Sequence, residues 1–343
     1  MKRILDREEV KAIIDRRAHH AAIPTMQLCW RGEGLIEKYG DRLLALEKEY
    51  PEDLITFYYQ EPGYGVSPTK NPEYRYGYKD YSRVAAHGAG QTQDLIDWSE
   101  LDEFLEKFPD PHEPHVFDGI PEAVKKQKDT GRYCVGMWWR LFHEKFWALR
   151  GMENLMLDYY DNMDCLKIMG QKFLEYYKVI VERYAECGVD AIFSSDDLGH
   201  QRGPMMSPEI FETLYFPLYK ELIEHIHKCG MHFILHSCGD NSLLMPYLAE
   251  AKLDVFHPVQ AGCMDMQETA EKYGEKMSFL VGVDVQHLLP EGSLEEVRAG
   301  LEKMVQIFYK EKGGMLVAAG NGIMPDTPFE NIEFMLKMLN SYR

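Results

Sequence analysis

The residues with the clearest chemical potential are His236 and Cys238, which follow the apolar run Phe233-Ile234-Leu235 and precede Gly239-Asp240. In extended chain, side chains two positions apart point the same way, so an imidazole and a thiolate converge on one spot. Two such donors make half of a zinc site. The plainer alternative is a buried histidine and an inert buried cysteine at a strand end. Two ligands do not close a metal site, so the elements that position them must decide.

Those elements alternate. Residues 233–235 read as a parallel strand, apolar on both faces. Comparable runs lie at 53–59, 132–137, 189–194, 253–256, 277–281 and 314–319. Helical stretches separate or flank them, among them 6–21 with Val10, Ile13 and Ile14 on one side, 34–50, 152–187 stopped by Gly188, and 293–311. Ser207-Pro208-Glu209 opens another as N-cap, first-turn proline and first-turn acid. Strict strand-helix alternation gives a parallel sheet, and the number and spacing of units favour a closed (β/α)8 barrel over an open sheet. No Gly-x-Gly-x-x-Gly turn follows the first strand, so a dinucleotide fold loses its usual support. All 343 residues are read as one barrel domain, with the first 50 as a helical N-terminal extension. Residues 61–83, crowded with Gly, Pro and Tyr and including Tyr64, read as a long loop. Such a stretch is either a lid over substrate or, more plainly, a β-meander or a subunit contact.

The strand ends carry Trp138 and Arg140, Asp196 and Asp197, His236 and Cys238, His257 and Gln260, Asp284 and Gln286, and Asn321. In a (β/α)8 barrel the C-terminal strand ends form one mouth, the usual active-site face. Catalytic roles fall to Asp196, Asp197, His236 and Cys238. Tyr59, Tyr64, Trp138, Arg140, Gln260, Asp284, Gln286 and Asn321 are read as substrate contacts. Each also has a bland role: Asp284 or Asp197 can cap a helix, and Gln260 can satisfy a backbone group. The pair His19-His20 is expected on the solvated face of the first helix.

Composition excludes other classes. Acidic residues outnumber basic ones by 56 to 38, a formal charge of −18, which disfavours nucleic acid because phosphate binding needs a basic face. No apolar run reaches the length of a transmembrane helix, and the acidic start offers no signal-peptide core. Seven scattered cysteines, an odd number, point to a reducing cytoplasm rather than a disulfide framework.

With Asp196-Asp197-Leu198-Gly199-His200-Gln201-Arg202-Gly203-Pro204, Met206-Ser207-Pro208-Glu209 and His236-Ser237-Cys238-Gly239, the chain resembles the uroporphyrinogen decarboxylase superfamily. The likeness continues through His257-Pro258-Val259-Gln260, Gly282-Val283-Asp284-Val285-Gln286 and Pro325-Asp326-Thr327-Pro328-Phe329-Glu330-Asn331. That superfamily is a (β/α)8 barrel and divides into decarboxylases and corrinoid-linked methyltransferases. The decarboxylase branch carries an N-terminal Arg-Gln-Ala-Gly-Arg stretch, where this chain has Gln27-Leu28-Cys29-Trp30-Arg31-Gly32-Glu33. The His-x-Cys-Gly pair marks the methyltransferase branch, where it implies two zinc ligands and a further cysteine on the last strand. Here Asn321 stands at that position, and an amide is a poor substitute for thiolate. Either a carboxylate such as Asp196 completes the set, or metal binding is weak, or the site is repurposed.

The resemblance implies methyl transfer from a small methylated compound, including methoxylated aromatics, to the cobalt of a corrinoid protein that is a separate partner. A Zn²⁺ on His236 and Cys238, or a protonated Asp196 or Asp197, would assist the leaving group. The Tyr-rich stretch 57–81, with Tyr59 and Tyr64, and the pair Trp138/Trp139 would sandwich an aromatic ring. The alternatives are methyl transfer from methyl-corrinoid to a thiol or tetrahydrofolate, uroporphyrinogen decarboxylation, and a non-catalytic binding barrel.

Overall fold

Eight apolar runs form one parallel sheet in the computed structural model, which describes residues 3–26, 31–59, 95 and 97–342. The strands are β1 (Thr25–Met26), β2 (Leu54–Tyr58), β3 (Tyr133–Trp138), β4 (Ala191–Ser195), β5 (His232–His236), β6 (Val255–His257), β7 (Ser278–Val283) and β8 (Met315–Ala319). Their spatial order is β1-β8-β7-β6-β5-β4-β3-β2, so sequence neighbours lie side by side throughout. With helices packed outside, this is a (β/α)8 barrel. Strands β3 to β8 are buried along their whole length, as strands covered on one side by helices and filled on the other must be. Asp53 joins the two ends of the sheet: its N–H donates to the Thr25 carbonyl at 3.0 Å, and its carboxylate accepts the Thr25 N–H at 2.8 Å.

Register is what builds the mouth. Ser195 pairs with His236, and His236 with His257, so the last residues of β4, β5 and β6 stand at one level. Ala319 and Val283 pair in the same way at the ends of β8 and β7. A shift of one residue would turn every side chain to the other face.

The outer layer follows from helical spacing. The helix Met163–Cys187 buries Leu166, Met169, Phe173, Leu174, Tyr177, Ile180, Val181 and Tyr184 along one stripe. Gly136 in β3 admits it closely, since a Cβ there would lie 2.5 Å from the Tyr184 ring. Residues 152–187, read as one helical region, form two helices, Met152–Asp161 and Met163–Cys187, broken where Asn162 leaves helical geometry. The first helix, Arg7–Ile14, is shorter than expected: Asp15 caps it and Arg16 takes a φ of 57°. His19 and His20 therefore lie beyond it, exposed. The first 50 residues, expected as a helical extension, also supply β1, whose two residues are too few to show alternation. Among the described residues, no helix is long and apolar enough to cross a membrane. The expected lid at 61–83, with Tyr64, lies outside the described residues.

Candidate active site

His236 ends β5 with its ring buried and its Nε2 edge facing two further donors. Cys238 Sγ lies 3.4 Å from that nitrogen and Asp197 Oδ1 lies 3.6 Å from it. All three donor atoms fall within 4.8 Å of one another. The chain holds them by lacing the β4 and β5 loops together. Cys238 N–H donates to Asp197 Oδ1 at 2.9 Å, and Leu198 N–H donates to Ser237 Oγ at 2.9 Å. The buried Asn241 places its Nδ2 within 3.0–3.2 Å of the carbonyls of Ser237, Cys238 and Gly239. Gly239, at φ +81°, is required here, because a Cβ would lie 2.4 Å from the Gly199 carbonyl carbon.

Behind the cluster, His236 Nδ1 lies 2.6 Å from His257 Nδ1, and His257 Nε2 lies 3.0 Å from the Ala319 carbonyl oxygen. Burial pushes the pKa of both imidazoles down, for His257 with its histidine neighbour adding to the effect. Burial, reinforced by the Asp197 charge, pushes the Cys238 thiol up to about 12. Asn321 Nδ2 opposes that rise by donating to Cys238 Sγ at 3.5 Å. Asn321 thus meets the sulfur as a hydrogen-bond donor.

The donor set fits a zinc ion. Tetrahedral bonds of about 2.0 Å to N or O and 2.3 Å to S put neighbouring donors roughly 3.3–3.6 Å apart. The 3.4 Å between His236 Nε2 and Cys238 Sγ matches such an edge. The 3.6 Å to Asp197 Oδ1 is longer than the N–O edge, and all three donors fall only within 4.8 Å of one another, so the Asp197 carboxylate would have to draw in to complete the set. A dication would reverse the local electrostatics and displace the thiol proton.

The carboxylate beside the pair is Asp197 rather than Asp196, the third ligand expected from the sequence. Asp196 is wholly buried and points the other way. It accepts the N–H groups of Phe142 and His143 at 3.1 Å each and of Glu144 at 2.8 Å, and the Tyr219 hydroxyl at 2.5 Å. It caps the helix His143–Arg150, and burial raises its pKa to about 6. Trp138 and Tyr59, expected at the substrate, are buried in the outer layer instead. Trp138 stacks on Tyr177 at 5.2 Å and Tyr59 on Phe117 at 5.7 Å. Of the expected pair Trp138/Trp139 it is Trp139 that stands beside the site, its ring perpendicular to that of His236 at 6.1 Å. Arg140, half-buried at a φ of 65°, donates its backbone N–H to Ser195 Oγ at 3.0 Å.

Glu144, which no motif or spacing in the sequence marks, joins the site. Its buried carboxylate accepts a hydrogen bond from Ser195 Oγ. Burial, then the nearby charges of Asp197 and Asp196, push its pKa to about 8, with Arg140 partly offsetting the rise. The available signal was position, an acid in the first turn of the helix that leaves β3.

Asp197, Cys238, Gln260, Asp284, Gln286 and Asn321 meet around a cavity of about 360 Å³. Gln260 Oε1 accepts the Gly239 N–H at 2.7 Å, and its Nε2 faces Gln286 Oε1 at 3.5 Å. Asp284 accepts the N–H groups of Gln286 and His287 at 2.8 and 3.1 Å, so it also shapes the loop. Among the described residues, the cavity lining contains neither lysine nor arginine.

A family model for uroporphyrinogen decarboxylase (URO-D) matches residues 147–342, more than half of the chain. A methylated-thiol–coenzyme M methyltransferase of Methanosarcina mazei is 28% identical over 128 residues, which cover 37% of this chain and 32% of that protein. The chain therefore aligns with about a third of that relative's length. A solved methyltransferase structure from Methanosarcina mazei superposes with a TM-score of 0.65 over 99% of both chains at 14% identity, a likeness of fold.

Proposed function

The chain belongs to the uroporphyrinogen decarboxylase (URO-D) family, and from that premise we propose that it is a methyltransferase, moving a methyl group between a small methylated compound and a corrinoid protein. The observation that carries this reading is the convergence of His236, Cys238 and Asp197 beside a small cavity. Decarboxylation of a substrate bearing many carboxylates calls for cations in the wall, and the described lining supplies none. A thiol or its methyl thioether is the substrate class favoured by the sulfur-containing donor set and by the name of the curated relative.

A methyl group that leaves a thioether sulfur for the cobalt of a partner's corrinoid leaves a thiolate behind; the reverse transfer starts from that thiolate. Zn²⁺ held by His236, Cys238 and Asp197 would supply the Lewis acidity that keeps such a sulfur anionic at neutral pH. The chain's own residues position the rest. Gln260, Gln286 and Asn321 offer amides to the polar end of the substrate, and a cavity of about 360 Å³ suits a small molecule. Glu144, whose carboxyl is buried and hydrogen-bonded to Ser195 Oγ, stands behind the cluster as the further acid of the site.

A methoxylated aromatic donor is the second reading, favoured by Trp139, an exposed residue whose ring lies beside His236. The test mixes zinc-loaded protein with methylcobalamin and 2-mercaptoethanesulfonate and follows the cobalamin spectrum and the thioether product. Loss of methylcobalamin with thioether formation supports the proposal. An inert mixture, together with carboxylate loss from added uroporphyrinogen, would replace it with the decarboxylase. Demethylation of a methoxybenzoate by cob(I)alamin, without reaction of the thiol, would favour the second reading.

A further inference from the structure

His257 lies wholly buried between His236 and β8, outside the donor cluster itself. Its Nε2 is 3.0 Å from the Ala319 carbonyl oxygen. A carbonyl only accepts, so His257 Nε2 carries the hydrogen. A neutral imidazole holds one ring hydrogen, and a ring buried this deeply stays neutral. His257 Nδ1 is therefore an acceptor. His236 Nδ1, 2.6 Å away, must then be the donor. That leaves the lone pair of His236 on Nε2, the edge that faces Cys238 Sγ and Asp197 Oδ1.

We infer that His257 is a positioning residue that fixes the tautomer of His236, with the Ala319 carbonyl as the anchored end of the relay, so that His236 presents an unprotonated Nε2 to a metal ion. The inference rests on the reading of His236 as a ligand. Register supports it independently, since pairing of His236 with His257 puts the two rings at one level of the barrel. The relay also gives the Ala319 carbonyl, at the last residue of β8, a partner inside the barrel. Ligand histidines commonly owe orientation and basicity to such a partner, and its loss costs about 10–100-fold in metal affinity.

The test uses protein labelled with ¹⁵N-histidine and a pair of variants. In zinc-free wild type, long-range ¹H–¹⁵N spectra are expected to show the His236 proton on Nδ1. His257→Leu, which removes the acceptor, is expected to shift that proton toward Nε2 and weaken Zn²⁺ binding about 10–100-fold in a chelator competition. His257→Asn, which keeps an acceptor oxygen near the Nδ1 position, is expected to restore the tautomer and most of the affinity. A merely structural role would lower both variants alike, in step with their melting temperatures. The inference is overturned if wild-type His236 carries its proton on Nε2, or if the leucine variant keeps both tautomer and affinity. Should wild type bind no zinc, the metal reading falls, and the tautomer spectrum still decides the relay.

Discussion

Glu144 holds its proton to about pH 8, against an ordinary value of 4.5, because burial and the charges of Asp197 and Asp196 penalise the anion. Between those pH values the folded chain binds a proton that the unfolded chain has released. Stability from this group is therefore present at low pH and lost as pH rises through that window, by at most about 1.4 kcal/mol per pH unit. Urea unfolding at pH 5 and pH 7.5 should show a smaller loss in Glu144→Gln than in wild type; equal losses would mean that the carboxyl is already ionised. Residue types were the legible part of the site. His236 and Cys238 declare themselves by spacing, whereas Glu144 sits on a helix, where an acid in the first turn is ordinary. The choice between Asp196 and Asp197 was hidden for a different reason. Adjacent residues at a strand end face opposite ways, and only the amides of Phe142, His143 and Glu144 reveal which one is claimed from outside.

That claim is an interaction between elements. The helix His143–Arg150 follows β3 after a short turn, and its first N–H groups have no intrahelical partners. Asp196, at the end of β4, satisfies them from a neighbouring unit. Asp196→Ala would leave these amides and the Tyr219 hydroxyl buried without an acceptor, at a cost of about 2–4 kcal/mol. Chemical denaturation should show that loss, whereas an unchanged midpoint would mean that water replaces the carboxylate. The same logic explains Trp138 and Tyr59. Sequence placed both near the mouth, but the parity of their strand ends turns them outward onto Tyr177, Phe117 and Tyr184. The strands themselves were legible because buried parallel strands are apolar runs. Helix ends were less so, as the stop at Ile14 and the break at Asn162 depend on local backbone geometry.

At the scale of the whole molecule, alternation alone pointed to the barrel, and the eight-stranded order agrees. Closure was not legible. It depends on a two-residue strand and on one buried acid, Asp53, which accepts from the Leu5 N–H at 2.9 Å and the Thr25 N–H at 2.8 Å. Asp53→Ala should therefore destabilise the barrel by about 2–4 kcal/mol, read as a lower urea midpoint; a shift below a few tenths would place closure elsewhere. The opposite end of the barrel is tied by polar contacts, with an ion pair of Lys128 and Asp190 at 2.8 Å and a hydrogen bond between Asp15 and His232 at 3.0 Å. The mouth is thus the end left for chemistry. There His236, Cys238 and Asp197 are proposed to share one metal ion. X-ray absorption at the zinc edge of the zinc-loaded protein reads that coordination shell. One sulfur at about 2.3 Å with nitrogen and oxygen neighbours is expected, lost in Cys238→Ala. A shell without sulfur in the wild type, or an identical shell in the variant, would contradict it.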